Sequence, residues 1–177
     1  DPADPRIVYT KHARYEIDYD APLGKDWRYA AMTVDPARYP DDFRLRIGNG
    51  GGVYLRRIDG KLLMYVFDQR GSSMGVYRFD RGREVAVPAG LISLDGAGWR
   101  GWPMGAPDAG TWIWVDRDGD GAMDAGEFED NGPKIHGLSA TFVDERGGVW
   151  TTGRGKDLLH YAAPRLSARG IPLYRPA

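Results

Sequence analysis

Residues 111–127 read Thr111-Trp112-Ile113-Trp114-Val115-Asp116-Arg117-Asp118-Gly119-Asp120-Gly121-Ala122-Met123-Asp124-Ala125-Gly126-Glu127. From Asp116 onward, acidic residues stand at relative positions 1, 3, 5, 9 and 12 with glycine at 6, the spacing of a twelve-residue EF-type calcium loop. Alternate residues of so tight a loop point inward, and Gly121 permits the bend that brings the chain round to Glu127. Asp116, Asp118 and Asp120 are expected each to give a carboxylate oxygen, Ala122 its backbone carbonyl, Asp124 a water-mediated contact and Glu127 both oxygens. Roughly six or seven hard oxygen ligands suit Ca2+, whose coordination shell is large and tolerant. Asp-Gly pairs also form plain solvated turns, but the completeness of the pattern favours the metal. Met123, the apolar residue between the acids, is expected to anchor the loop to the core.

The flanks decide the fold. A helix-loop-helix sensor needs an amphipathic helix entering the loop, whereas Thr111–Val115 is aromatic and β-branched and predicts a strand. After the loop, Phe128-Glu129-Asp130-Asn131-Gly132-Pro133 is too short and broken for an exiting helix. The loop is therefore expected to join β elements in an all-β chain.

Composition agrees. The chain of 177 residues carries 25 glycines, 12 prolines, 6 tryptophans and 10 tyrosines, which favours short aromatic strands joined by glycine-containing turns. Its length suits one compact unit, residues 1–177, with 116–127 as an inserted loop. With 24 basic against 25 acidic side chains, the formal charge of -1 offers no electrostatic reason to expect a nucleic-acid partner. Cysteine is absent, which excludes disulfides, thiolate zinc sites and thiol nucleophiles within these residues. No apolar run is long enough for a transmembrane segment, and the start at Asp1 lacks the basic head and apolar run of a signal peptide. A calcium loop tilts the expected location outward, to a secreted or periplasmic setting, because millimolar extracellular calcium fills even modest sites.

Working away from the loop, short strand patterns recur. Ile7-Val8-Tyr9 and Ala13–Tyr19 read as strands, and Trp27, Tyr29 and the run Ala30–Val34 as a buried one. Phe43-Arg44-Leu45-Arg46-Ile47 alternates, predicting a strand with its arginines in water. Gly48-Asn49-Gly50-Gly51-Gly52 lacks both the Gly-Lys-Ser/Thr ending of a phosphate loop and a following helix, so it reads as a turn. Leu62–Asp68 is a continuous apolar run suited to a strand covered on both faces. Met74–Asp80, Glu84–Pro88 and Leu91–Leu94 continue the series, and Gly96–Ala109 reads as a long loop carrying Trp99 and Trp102. His136–Asp144 leads to another turn at Glu145–Gly148, after which Val149–Thr152 resumes a strand and Leu158–Tyr161 provides one more.

Two stretches share a pattern. Gly51-Gly52-Val53-Tyr54, then Gly60-Lys61 and Leu62-Leu63-Met64-Tyr65, parallels Gly147-Gly148-Val149-Trp150, then Gly155-Lys156 and Leu158-Leu159-His160-Tyr161, at an offset of 96 residues from Gly51 to Gly147. The offset fits two propeller blades of about 40–45 residues plus inserted loops. Together with Asp144-Glu145-Arg146-Gly147-Gly148-Val149-Trp150, these residues resemble the inner hairpins of bacterial NHL- or two-component-regulator-like β-propellers, and Trp114-Val115-Asp116 resembles propellers with an Asp-rich calcium loop between strands. The resemblance spans about Gly51 to Tyr174. It implies a small or incomplete propeller-like array of antiparallel sheets, in extracytoplasmic recognition or as an enzyme-associated scaffold. A closed propeller uses at least about four four-stranded blades and these residues can supply about three to four, so three readings stay open: an unusually small propeller, an open segment completed by a companion polypeptide or a continuation of the chain, and a β-sandwich whose turns imitate blade turns.

Catalytic patterns are weak. His12, His136 and His160 form no metal-binding motif. Asp95, Asp108, Asp144 and Glu145 flank loops where a glycosidase pair would be placed, but Asp144 reads more simply as a turn residue accepting local amides. Asp18 and Asp20 lack the loop-wide pattern of a second cation site. Trp99, Trp102 and His136 are the candidate ligand-binding residues, with a carbohydrate, another small molecule or a protein as the ligand. The principal expectation is a calcium-stabilised β scaffold that presents loops. The alternative is one wall of the active site of an extracytoplasmic hydrolase or oxidoreductase.

Overall fold

A computed structural model describes residues 1–48, 50–68, 72–94, 102–108, 110–133, 141–152 and 158–175. It is all-β, with short antiparallel sheets and two 3-10 turns as the helical elements among the described residues. Strands β1 (Ile7–Tyr9), β2 (Ala13–Ile17) and β3 (Trp27–Met32) form one sheet. Strands β4 (Gly50–Ile58), β5 (Lys61–Asp68), β6 (Ser73–Phe79), β7 (Ala86–Ser93), β8 (Trp112–Val115) and β9 (Phe128–Asp130) form a six-stranded meander in chain order. A third sheet holds β10 (Thr141–Val143), β11 (Val149–Thr152) and β12 (Leu158–Tyr161), and β13 (Arg165–Leu166) pairs with β14 (Pro172–Leu173). The described strands close into neither a barrel nor a propeller.

The meander is the middle layer because its strands are apolar on both faces. In β5, Leu63 and Tyr65 enter one core while Met64 and Val66 enter the other, as the continuous run Leu62–Asp68 predicts. The first core is completed by Val143, Val149 and Tyr161 of the third sheet and by Ile171 and Tyr174. The second holds Tyr77, Leu91, Trp112 and Trp114, covered by Phe43, Ile47 and, at its margin, Tyr9 and Trp102.

Several sequence expectations need correction. Phe43–Leu45 is a 3-10 turn capped by the Asp42 carboxylate, and Arg44 is fully buried instead of wet. Five alternating residues mimic a strand, but Asp42 can cap a turn through its side chain, and Arg44 finds carbonyl partners far away in sequence. The strand at Trp27–Met32 is an exposed sheet edge, with Trp27, Tyr29 and Met32 each more than half exposed. The glycine run opens β4 with a register irregularity at Gly50/Gly52, and the Phe67 ring would lie 2.7 Å from a Cβ on Gly52. Glu84–Pro88 and Leu91–Leu94 are not two strands: Ala86–Ser93 is one, with a register shift against Val76/Tyr77.

The two Gly-Gly segments do form hairpins, β4–β5 and β11–β12, but in different registers. Val53 faces Val66 in the first, and Val149 faces Tyr161 in the second. Asp59 and Gly60 both take positive φ at the first turn, as a two-residue hairpin loop requires.

Candidate metal centre

The acidic loop is the connection of a β-hairpin. β8 ends at Val115, β9 begins at Phe128, and Trp114 pairs with Phe128. Asp116 continues the ladder by donating its N–H to the Ala89 carbonyl at 3.3 Å. Position 1 of the loop is thereby fixed to β7, whose eight residues are all buried.

Within the loop, Asp116 Oδ1 accepts the N–H groups of Gly119 at 3.0 Å and Gly121 at 3.1 Å. Asp118 Oδ1 accepts Asp120 N–H at 3.2 Å, and Asp120 Oδ1 accepts Ala122 N–H at 2.7 Å. These bonds wind the chain around a common centre. Gly119 and Gly121 have φ of 84° and 80°, the left-handed region that favours glycine. At Gly121 a side chain is excluded twice over, since a Cβ would also lie 2.7 Å from the Tyr39 ring.

Asp116, Asp118 and Asp120 come together, with one carboxylate oxygen from each lying within 4.8 Å of the others. That span is about twice a Ca–O bond of about 2.3–2.6 Å, so the three can hold one metal ion between them. Asp116 is fully buried and its Oδ2 accepts no hydrogen bond, an orphaned anionic oxygen that a cation would satisfy. Arg78 Nη2 stands 3.8 Å from it, a long ion pair beyond hydrogen-bonding distance. Burial pushes the Asp116 carboxyl up to about 6, against the Gly121 and Gly119 amides and Arg78, which favour the charged form.

Glu127 and Asp124 stand outside the three-carboxylate group. Glu127 is buried and ties the end of the loop to its beginning: Oε1 accepts Arg117 N–H at 2.5 Å and Asp118 N–H at 3.3 Å, while Oε2 accepts the Trp114 indole N–H at 2.9 Å. Asp124 is exposed and precedes the 3-10 turn Ala125–Glu127 without capping it through its side chain. Ala122 donates to Asp120, and Met123 packs against the second core, as expected of the loop's apolar anchor.

The remaining sequence candidates lie elsewhere. Trp99 and His136 fall outside the described residues. Trp102 stacks on Phe43 with ring centroids 6.1 Å apart and lies beneath the Arg46 guanidinium, packed at the margin of the second core. Asp144 is the turn residue its sequence suggests, accepting Arg146 N–H at 2.9 Å, Gly148 N–H at 2.8 Å and the Trp150 indole at 3.1 Å. Two residues that sequence reasoning did not assign to the site belong to it. Trp114 was legible as a strand residue two places before the loop, while nothing local to Arg78 signals its place beside Asp116.

No protein-family model matches the chain, and neither the curated proteins nor the solved structures yield a match. Function is therefore read from the site itself.

Proposed function

We propose that the chain is a calcium-stabilised β scaffold that presents loops for recognition of a protein or small ligand within a larger extracytoplasmic assembly. The observation that carries it is the convergence of Asp116, Asp118 and Asp120 on the hairpin connection, with the buried Asp116 Oδ2 left without a hydrogen bond. Calcium is the ion of choice because the three converging donors are hard oxygens, and water would complete its large, tolerant shell.

Bound there, the ion would cancel repulsion among three carboxylates and fix the first half of the β8–β9 connection. Its role would be structural, because Asp118, which would approach it, also donates its N–H to Glu127, whose other oxygen accepts the indole N–H of Trp114 in the second core. Millimolar extracellular calcium suits a loop of this kind, which supports a secreted or periplasmic location. The propeller-like part of the reading rests on the hairpins β4–β5 and β11–β12. The six-stranded meander exceeds a four-stranded blade, so further blades would belong to additional polypeptide, the proposed companion in the assembly.

Scanning calorimetry of EDTA-treated protein tests the calcium role. Restoring millimolar calcium is expected to raise Tm by several degrees, whereas an unchanged melting curve counts against a structural ion.

A further inference from the structure

Arg78 is a buried charge that the proposed calcium loop does not need. It projects from β6 with its side chain 10% exposed, and its Nη2 donates to the Gly119 carbonyl at 2.8 Å while standing 3.8 Å from Asp116 Oδ2. Its Nη1 is paired with Asp80, so the guanidinium bridges a surface carboxylate and the buried start of the loop. One cation therefore already sits against the oxygen that the metal would use, and it grips the loop backbone between two of the acidic positions.

We infer that Arg78 is an internal counter-ion that competes with the metal, keeping the loop folded when it is metal-free and holding its calcium affinity low. The inference rests on the calcium reading above. Without the ion, Arg78 attracts Asp116 and fixes Gly119. With the ion present, the same guanidinium repels a divalent charge held by the same carboxylate, and burial weakens the screening that would otherwise hide the repulsion. Two other arginines near the loop differ in exposure. Arg117 is exposed and paired with Glu129, and Arg169 reaches Gly119 from the turn between β13 and β14 but is itself exposed. Their fields are screened by water. Arg78 thus sets the loop's working range toward high calcium concentrations, and occupancy becomes a report of the calcium around the protein instead of a permanent feature.

The test is calcium titration of the EDTA-treated protein by calorimetry, comparing wild type with Arg78→Gln, Arg78→Lys and Arg169→Gln. Arg78→Gln removes the charge and keeps an amide donor, and is expected to tighten binding by about tenfold or more, the effect of deleting a unit charge a few ångströms from a divalent ion. It should also lower Tm without metal and enlarge the calcium-induced rise. Arg78→Lys and Arg169→Gln should stay within about twofold of wild type. Equal or weaker binding by Arg78→Gln overturns the inference while leaving the calcium reading intact, as does an equal gain from Arg169→Gln, which would reduce the effect to net charge. Binding by neither wild type nor Arg78→Gln removes the calcium reading and this inference together. Should Arg78→Gln fail to fold, Asp80→Asn serves instead. Stripping Arg78 of its surface partner should weaken calcium binding several-fold, and an unchanged affinity overturns the inference.

Discussion

Replacing Arg44 by methionine should destabilise the protein by about 3–4 kcal/mol, the lower part of the range of about 3–5 kcal/mol for breaking a buried ion pair by removing one partner. The guanidinium is fully buried and bonds Asp42 through Nε at 3.0 Å and Nη2 at 2.5 Å. It also donates to the carbonyls of Thr33 at 3.2 Å and Ala86 at 2.8 Å and lies 4.0 Å over the Tyr77 ring. In this way one side chain joins the end of the β1–β3 layer to the six-stranded meander. After its removal, Asp42 keeps only the Tyr77 hydroxyl at 2.9 Å and the backbone N–H of residue 44 at 2.9 Å among these donors. Those two neutral donors are why the lower part of the range is expected. Adding Asp42→Asn should recover at least about 1 kcal/mol, because the uncompensated charge is then gone. Urea unfolding in excess calcium, with unchanged m-value, measures both. A loss below about 1 kcal/mol for Arg44→Met would mean that Arg44 behaves as a solvated surface residue and would refute the packing described for the second core.

Gly121→Ala should cost about 1–2 kcal/mol from its left-handed φ alone, and more from the Tyr39 ring, with calcium affinity reduced at least tenfold; titration calorimetry and urea unfolding measure the two effects. Trp114→Phe removes the indole donor to Glu127 and should cost about 1.5–3 kcal/mol, the range for a hydrogen bond to a charged group, read from unfolding of the metal-free protein. The folded, metal-free protein holds the Asp116 proton up to about pH 6, whereas the unfolded chain releases it near about pH 4. Its contribution is therefore fully present below about pH 4 and lost as pH rises to about 6, a fall of about 3 kcal/mol that should be absent from Asp116→Asn. The same proton competes with the metal, so calcium affinity should weaken as pH drops below about 6, as calcium titrations across that range will show.

The parts of the fold that were legible in sequence are those specified by neighbouring residues. The convergence of Asp116, Asp118 and Asp120, the bend at Gly121 and the strand Trp112–Val115 obey local rules and stand where those rules place them, whereas Asp124 and Glu127 stand outside the carboxylate group. The two-faced burial of Leu62–Asp68 was legible for the same reason, since an apolar run without alternation has no wet face. What sequence hid is long-range. Arg44 reads as a wet residue until carbonyls from Thr33 and Ala86 are brought around it, and Trp27 reads as buried until β3 is seen to lie at an edge. Likewise, nothing in Met74–Asp80 shows that Arg78 will meet the loop that follows β8, because that contact depends on how β6, β7 and β8 stack. The repeat shows the limit of local pattern in another way: similar residues at Gly51 and Gly147 gave two hairpins whose cross-strand partners differ by one position.

A crystal structure of the protein grown in excess calcium tests the central claim most directly. It should show one ion bound by oxygens of Asp116, Asp118 and Asp120 at about 2.3–2.6 Å, identified by its anomalous signal, between β8 and β9. A loop holding only water under those conditions, with Asp116 Oδ2 satisfied by Arg78 alone, would contradict it.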